Sequence, residues 1–174
     1  LGGIRVVHAW WHEPHIETLH RHDIKAGALS QQQVVQALCK HRLHEVYYAL
    51  EGLCKGLEIR LPDGLSFTDR TGNVRVDART KWWLPVAEFM HEIAIVEGAM
   101  PVELLDMPIP DTFNPLPING APVFIGHYWL QGTPGILSPK VACLDYSAAK
   151  RGPLVAYRWN GESELHDGGF VASH

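Results

Sequence analysis

Two short apolar runs in this chain end the same way. Ile4-Arg5-Val6-Val7-His8 and Pro122-Val123-Phe124-Ile125-Gly126-His127 both read as buried strands that close on an imidazole. Ligands of α/β folds bind beyond the carboxyl ends of such strands. Between the two runs the periodicity changes several times. Ala9-Trp10-Trp11-His12-Glu13-Pro14 reads as a loop with two large aromatics, and Ile16 to about His22 as a short helix. Ser30-Gln31-Gln32-Gln33 has the spacing of a capping box, so a helix is expected to follow, to about Lys55. Along it Val35, Leu38, Cys39, Val46, Ala49, Leu50 and Leu53 recur on one face, with His44, Glu51 and Lys55 opposite. Gly56 is a natural stop.

A β-rich section comes next. Leu57–Leu61 and Leu65–Thr68 flank Pro62-Asp63-Gly64, a turn signal, and Asp69-Arg70-Thr71-Gly72-Asn73 is a second one. Val74, Val76, Ala78, Thr80 and Trp82 then alternate with Arg75, Asp77, Arg79, Lys81 and Trp83, the period of a half-buried strand. Its polar face carries three cations, Arg75, Arg79 and Lys81. Six prolines (Pro101, Pro108, Pro110, Pro115, Pro117, Pro122) exclude a helix over 101–122. Leu104, Leu105, Met107, Ile109 and Phe113 make that stretch too apolar for a disordered linker, so it is expected to wrap the core. The last third reads as strands at Pro122–Gly126, Val141–Asp145 and Leu154–Trp159, the last two joined as a hairpin through Lys150-Arg151-Gly152-Pro153.

Composition narrows the function classes. A chain of 174 residues fits a single domain. A net charge of −4 without a basic stripe argues against a nucleic-acid partner. The three cysteines, Cys39, Cys54 and Cys143, are odd in number and widely spaced, without a C-x-x-C pair. They support neither a disulfide framework nor a cysteine zinc site, and a reducing, cytoplasmic compartment is expected. No apolar run approaches the ~18 residues of a membrane span, so no membrane association is expected, and no signal peptide is recognisable. Leu1-Gly2-Gly3 leads at once into a strand, which points to a fragment or a processed chain.

Three segments together carry a family resemblance. They are Gly126-His127-Tyr128-Trp129-Leu130, Val141-Ala142-Cys143-Leu144-Asp145-Tyr146-Ser147 and Leu154-Val155-Ala156-Tyr157-Arg158-Trp159. Their order is a Gly-His motif, a strand ending in Leu-Asp, a small-residue turn and a Leu-x-Ala-x-Arg strand. This resembles the end of a bacterial calcineurin-like metallophosphoesterase, in the branch of Ser/Thr protein phosphatases and symmetrical diadenosine tetraphosphatases. Val7-His8-Ala9 is similar to the family's mid-chain histidine motif. Lys55-Gly56, Leu61-Pro62-Asp63-Gly64 and Trp82-Trp83 resemble one bacterial subgroup. The likeness covers nearly the whole chain but only the second half of the family's domain.

The resemblance implies an α/β fold, the C-terminal half of a four-layer α-β-β-α sandwich. It implies divalent metal ions, two in the complete enzyme (Mn, Fe, Zn or Ni), and hydrolysis of phosphomonoesters or phosphoanhydrides. The substrate would be a phosphorylated small molecule, such as a dinucleoside polyphosphate, or a phosphoprotein. His8 and His127 map onto the last two metal-ligand blocks. The family's first three blocks, D-x-H, G-D-x-x-D-R-G and G-N-H-[DE], have no counterpart here, so the general acid is expected in the missing N-terminal half. Asp69-Arg70-Thr71-Gly72 only echoes one of them and sits in a turn.

Other residues admit two readings. Family members often hold substrate phosphate with an arginine from this half, which makes Arg79 and Lys81 candidates, although a solvated strand face explains them better. Trp10, Trp11, Tyr128 and Trp129 directly follow or adjoin the two candidate ligands. They could form a platform for a leaving group, with Trp129 as a candidate substrate contact, or pack the core and rim. His12, His15, His20, His22, His41 and His44 are best explained as ordinary histidines of a His-rich chain, and Asp145 as a supporting group rather than a ligand. A non-catalytic binding or structural module is the alternative for the whole chain.

Overall fold

The computed structural model describes residues 3–24, 29–38, 44–69, 71–84 and 86–173. The fold is mixed α/β, with four helices and several small sheets among these residues. Two compact units are present. One combines Leu1–Gly56 with Gly120–His174, and the other is Leu57–Asn119.

The first unit is built on a four-stranded sheet of β1 (Arg5–Val6), β7 (Val123–Ile125), β9 (Val141–Cys143) and β8 (Ile136–Ser138), in the order β1-β7-β9-β8. β1, β7 and β9 run parallel, and β8 is an antiparallel edge. Every residue of β7 and β9 is buried, as central strands covered on both faces require. On one side Val7, past β1, joins Leu19, Ile24, Val46, Ala49 and Leu53 of the helical layer. On another, Phe124 and Ala142 pack with Leu165, Tyr157 and Phe170. The last two belong to a ribbon of β10 (Val155–Tyr157) and β11 (Phe170–Ala172).

Several expectations about this unit are corrected. β1 is an edge strand rather than a buried one, and Val6 is 60% exposed. The single long helix is two helices, α2 (Gln31–Leu38) and α3 (Glu45–Lys55). His44 holds an extended backbone and its Nδ1 accepts the Val46 N–H at 3.2 Å, so it caps a new helix instead of continuing the old one. Val35 and Leu38 are correspondingly exposed, and Cys39 lies outside the described residues. Finally, β9 and β10 do not form a hairpin. Ser147 and Arg151 both take left-handed φ values, 62° and 70°, around a 3-10 turn at Ala148–Lys150, and β10 leaves to pair with β11. Helix α1 (Glu13–Arg21) starts earlier than expected, with Pro14 in its first turn, where a missing N–H costs nothing.

In the second unit β5 (Asp77–Thr80) lies between β2 (Glu58–Arg60) and β6 (Ala94–Ile95), all antiparallel. β3 (Phe67–Thr68) and β4 (Val74–Arg75) form a separate hairpin. The expected strand from Val74 to Trp83 is therefore two strands: the chain breaks at Val76 to change sheets. Alternation holds within β5, where Ala78 and Thr80 are buried, but Trp83, placed on the polar face by its period, is buried as well. A short helix, α4 (Met90–Ile93), precedes β6. Ile59, Leu61, Ala78, Met90, Ile93 and Leu104 form the core. Met107, Ile109 and Phe113 pack against it, so the proline-rich stretch does wrap a core, that of this unit.

Candidate functional site

The candidate site arises where β1 and β7 end together. These strands are parallel, with Val6 opposite Phe124. His8 and His127 each lie two positions past their strand, and the register sets His8 opposite Gly126, next to His127. The Gly126 N–H donates to the His8 carbonyl at 2.9 Å and continues the ladder one step further. His8 Nε2 and His127 Nδ1 stand 3.2 Å apart, although 119 positions separate them in sequence. The rings are tilted by 60°, with centroids 5.0 Å apart. His8 is exposed and His127 half-buried. An open, apolar concavity of about 470 Å³ adjoins His8 and is lined by Val6, Val7, Phe124 and Leu144.

The backbone around His127 is under strain. Its φ is 70°, and the Tyr128 N–H donates to the Gly126 carbonyl across it at 2.9 Å. This is a γ-turn of the positive-φ hand, which is rare. Trp129 is left-handed too, at φ 49°. Such residues cost of order 1–3 kcal/mol each and persist only where the surroundings enforce them. The enforcing contacts are visible. Leu130 N–H donates to the Asp145 carbonyl at 2.9 Å, and the buried Tyr128 ring packs where Gly56 leaves room. The Asp145 carboxylate accepts the Ser147 N–H at 3.1 Å, which fits a supporting role.

The geometry is compatible with a shared metal ion. Two imidazole nitrogens each about 2.0–2.1 Å from one tetrahedral ion would stand about 3.3 Å apart. The observed separation also fits one N–H donating to the other ring's bare nitrogen, in whichever tautomers the pair adopts. Among the described residues no group of three or more His, Cys, Asp or Glu side chains gathers in a metal-ligating arrangement.

Arg79 and Lys81 belong to the second unit. Arg79 is half-buried and stands opposite Glu58 and Ile95 in the sheet, while the Lys81 N–H donates to the Ile93 carbonyl at 2.7 Å. Asp69 is consumed by its own turn. One oxygen accepts from Thr71 and Asn73, the other from Arg75 at 2.7 Å. The Thr71 hydroxyl, foremost among these, holds its carboxyl far below the usual range. Arg70 lies outside the described residues, as does His41.

The aromatic platform divides. Trp10 and Tyr128 are buried, whereas Trp129 is 40% exposed. Trp11 donates to Glu13 at 2.8 Å under the Arg5 guanidinium. Trp10 stacks on His12, and the His12 and His15 rings meet at 4.2 Å. Burial lowers both imidazoles, His15 to about 4. His20 lies in the last turn of α1, while His22, at its C-cap, places Nε2 2.6 Å from Glu45. Cys54 and Cys143 are free thiols, and burial pushes Cys143 up to about 11, which disqualifies it as a nucleophile near neutral pH.

Lys150 escaped the sequence reading. Its ammonium lies 3.7 Å from the centre of the Trp129 ring. The Gly152-Pro153 signal marks a turn there but not its direction.

No protein-family model matches the chain, and neither a curated protein nor a solved structure matches it. Among the described residues no helix is long and apolar enough to cross a membrane.

Proposed function

We propose that this chain is the C-terminal half of a calcineurin-like metallophosphoesterase sandwich, whose activity is metal-dependent hydrolysis of a phosphomonoester or phosphoanhydride. One observation carries the reading: His8 Nε2 and His127 Nδ1 converge to 3.2 Å at the ends of adjacent parallel strands. The resemblance assigns these two histidines, out of eleven in the chain, as ligands. The exposed edge of β1 adds support, because half of a sandwich presents a strand where the remainder would pair.

His8 and His127 would hold one divalent ion through neutral imidazole nitrogens. Divalent ions bound there would polarise phosphate oxygens and lower the pKa of a bound water. The residues of this chain would fix the ligand directions: the β1–β7 register sets His8 opposite Gly126, and the γ-turn at His127 carries the second ring alongside. The substrate is a phosphorylated small molecule or a phosphoprotein. Two histidines alone do not hold a dinuclear centre, and the ligands and general acid of the family's first three blocks complete it.

A second reading rests on the same distance. A His–His hydrogen bond at 3.2 Å makes the pair a structural tie in a non-catalytic module. Calorimetric titration with Mn²⁺ and Zn²⁺ separates the two. Under the metal reading, His8→Ala and His127→Ala each lower metal affinity tenfold or more before stability changes appreciably. Unaltered affinity in both variants, with reduced thermal stability, would establish the structural tie instead.

A further inference from the structure

We infer that the concavity beside His8 seats the organic part of a phosphate ester whose alcohol is apolar, aryl or alkyl, with the phosphate at the histidine pair. The position of the phosphate rests on the metallophosphoesterase reading, and the apolar group names the substrate class of that site.

The concavity follows from one missing side chain. Side chains alternate across a strand, so Val6 and His8 share a face of the sheet with Phe124, Gly126, Ala142 and Leu144. Two successive rows cross that face. Val6, Phe124 and Ala142 are paired in register. One step on, the Gly126 N–H donates to the His8 carbonyl at 2.9 Å and the Leu144 N–H to the Ile125 carbonyl at 2.8 Å, so His8, Gly126 and Leu144 make the next row. A phenylalanine fills the middle of the first row, and nothing fills the middle of the second. The space left is about 470 Å³, with Val6, Phe124 and Leu144 as apolar walls and His8 as the polar one. That is the size of a small-molecule site.

The fold itself does not demand glycine at 126. Its φ is not left-handed. A Cβ built there would meet nothing nearer than 3.7 Å, an ordinary contact with Asp145. A larger residue would keep the backbone and occupy the space. The apolar wall is not spent on packing either. Val7 joins the helical layer on the other face, and Phe124 and Leu144 reach the cluster of Leu165 and Tyr157, but Val6 stays 60% exposed.

His8 belongs to both features. It lines the concavity, and its Nε2 is 3.2 Å from His127 Nδ1. A phosphate held at the pair therefore has an apolar space beside it. Among the lining side chains only His8 offers a hydrogen bond to a sugar or a second phosphate. An aryl or alkyl group gains instead in proportion to the apolar area it removes from water.

Naphthyl phosphate, glycerol phosphate, inorganic phosphate and naphthol are titrated into the full chain by calorimetry with Mn²⁺ present. Naphthyl phosphate should bind at least about tenfold more tightly than the other two phosphates, the gain from burying roughly 60 Å² of apolar surface. Gly126→Leu fills the space, and Val6→Asp charges an exposed wall. Each should bring that ratio to about one and leave Mn²⁺ affinity unchanged. His8→Ala should remove the advantage of naphthyl phosphate over naphthol. Equal affinities for the three phosphates, no binding of any, or a preference that survives both wall variants overturns the inference. So does a dimer, seen by sedimentation, that both variants dissociate, because a second copy then fills the concavity. If naphthol binds as tightly as its phosphate and His8→Ala changes neither, the metal reading fails and the ester assignment fails with it. If His8→Ala lowers Mn²⁺ affinity while the three phosphates bind alike, the metal reading stands and the apolar seat alone is lost.

Discussion

The hydroxyl of Tyr128 occupies the space that a side chain on Gly56 would need. A Cβ built on Gly56 would stand 2.5 Å from the Tyr128 hydroxyl oxygen. Gly56 also has φ 92° and ψ 177°, a region open almost only to glycine. The end of α3 and the strained loop at His127 are thereby fitted to each other. Gly56→Ala should lower stability by about 1–3 kcal/mol from backbone strain, with the clash in addition. Urea denaturation measures the loss. Pairing it with Tyr128→Phe should recover part of it, and no recovery would mean that the hydroxyl is not the obstacle.

His15 gives the fold a specific acid sensitivity. It sits in α1 against α3: a Cβ on Gly52 would lie 2.7 Å from the imidazole. Burial, with His12 beside it, lowers its pKa from 6.5 to about 4. The folded state therefore favours the neutral ring, and between these values the unfolded chain binds more protons. The stability contributed by this histidine is complete above pH 6.5, falls as the pH drops, and is gone by about pH 4. Burial lowers His12 as well and acts in the same direction. Urea midpoints of the wild type and His15→Leu, measured from pH 7.5 to 4.5, should converge as the pH falls. Parallel curves would rule out His15 as the titrating group.

Ser30 and Gln33 cap α2 reciprocally. The Ser30 N–H donates to Gln33 Oε1 at 2.8 Å, and the Gln33 N–H donates to Ser30 Oγ at 3.3 Å. Ser30→Ala should cost about 1 kcal/mol, measured by thermal denaturation, and Ser30→Asp should restore most of it. A cost near zero would show that α2 unravels independently of the global transition.

That capping box was legible because it depends on residues three apart. The same holds for the turn at Pro62-Asp63-Gly64, where Leu65 N–H donates to the Pro62 carbonyl, and for the stop at Gly56. The failures lie where a local pattern has more than one partner to choose from. Period two continues from Val74 to Trp82, yet it cannot say that β4 pairs with β3 while β5 pairs with β2 and β6. Helical period continues past His44, yet it cannot show that an imidazole will cap a new helix there. The pairing of β10 with β11 depends on strands of one sheet accepting others from a distance. At the candidate site, the two histidines were legible as strand ends, because adjacent parallel strands bring like positions together. The left-handed backbone at His127 and Trp129 was not, since neither residue type announces it.

The strain at His127 separates backbone from imidazole. With φ at 70°, the position suits glycine better than histidine. His127→Gly removes the ring that lies 3.2 Å from His8 but relieves the left-handed backbone, whereas His127→Ala removes the ring and keeps the strain. If the histidine is retained for ligation, His127→Gly should match or exceed His127→Ala in stability, by about 1 kcal/mol, while both lose metal affinity equally. His127→Asn, which tolerates the same backbone, should behave like glycine in stability and fail likewise in binding. If the ring is instead a structural tie, the order changes. All three variants would fall well below the wild type in stability, because each leaves His8 without the ring it faces. Thermal denaturation of the four proteins, with and without Mn²⁺, reads both quantities at once: only a ligating His127 makes metal stabilise the wild type and none of the variants.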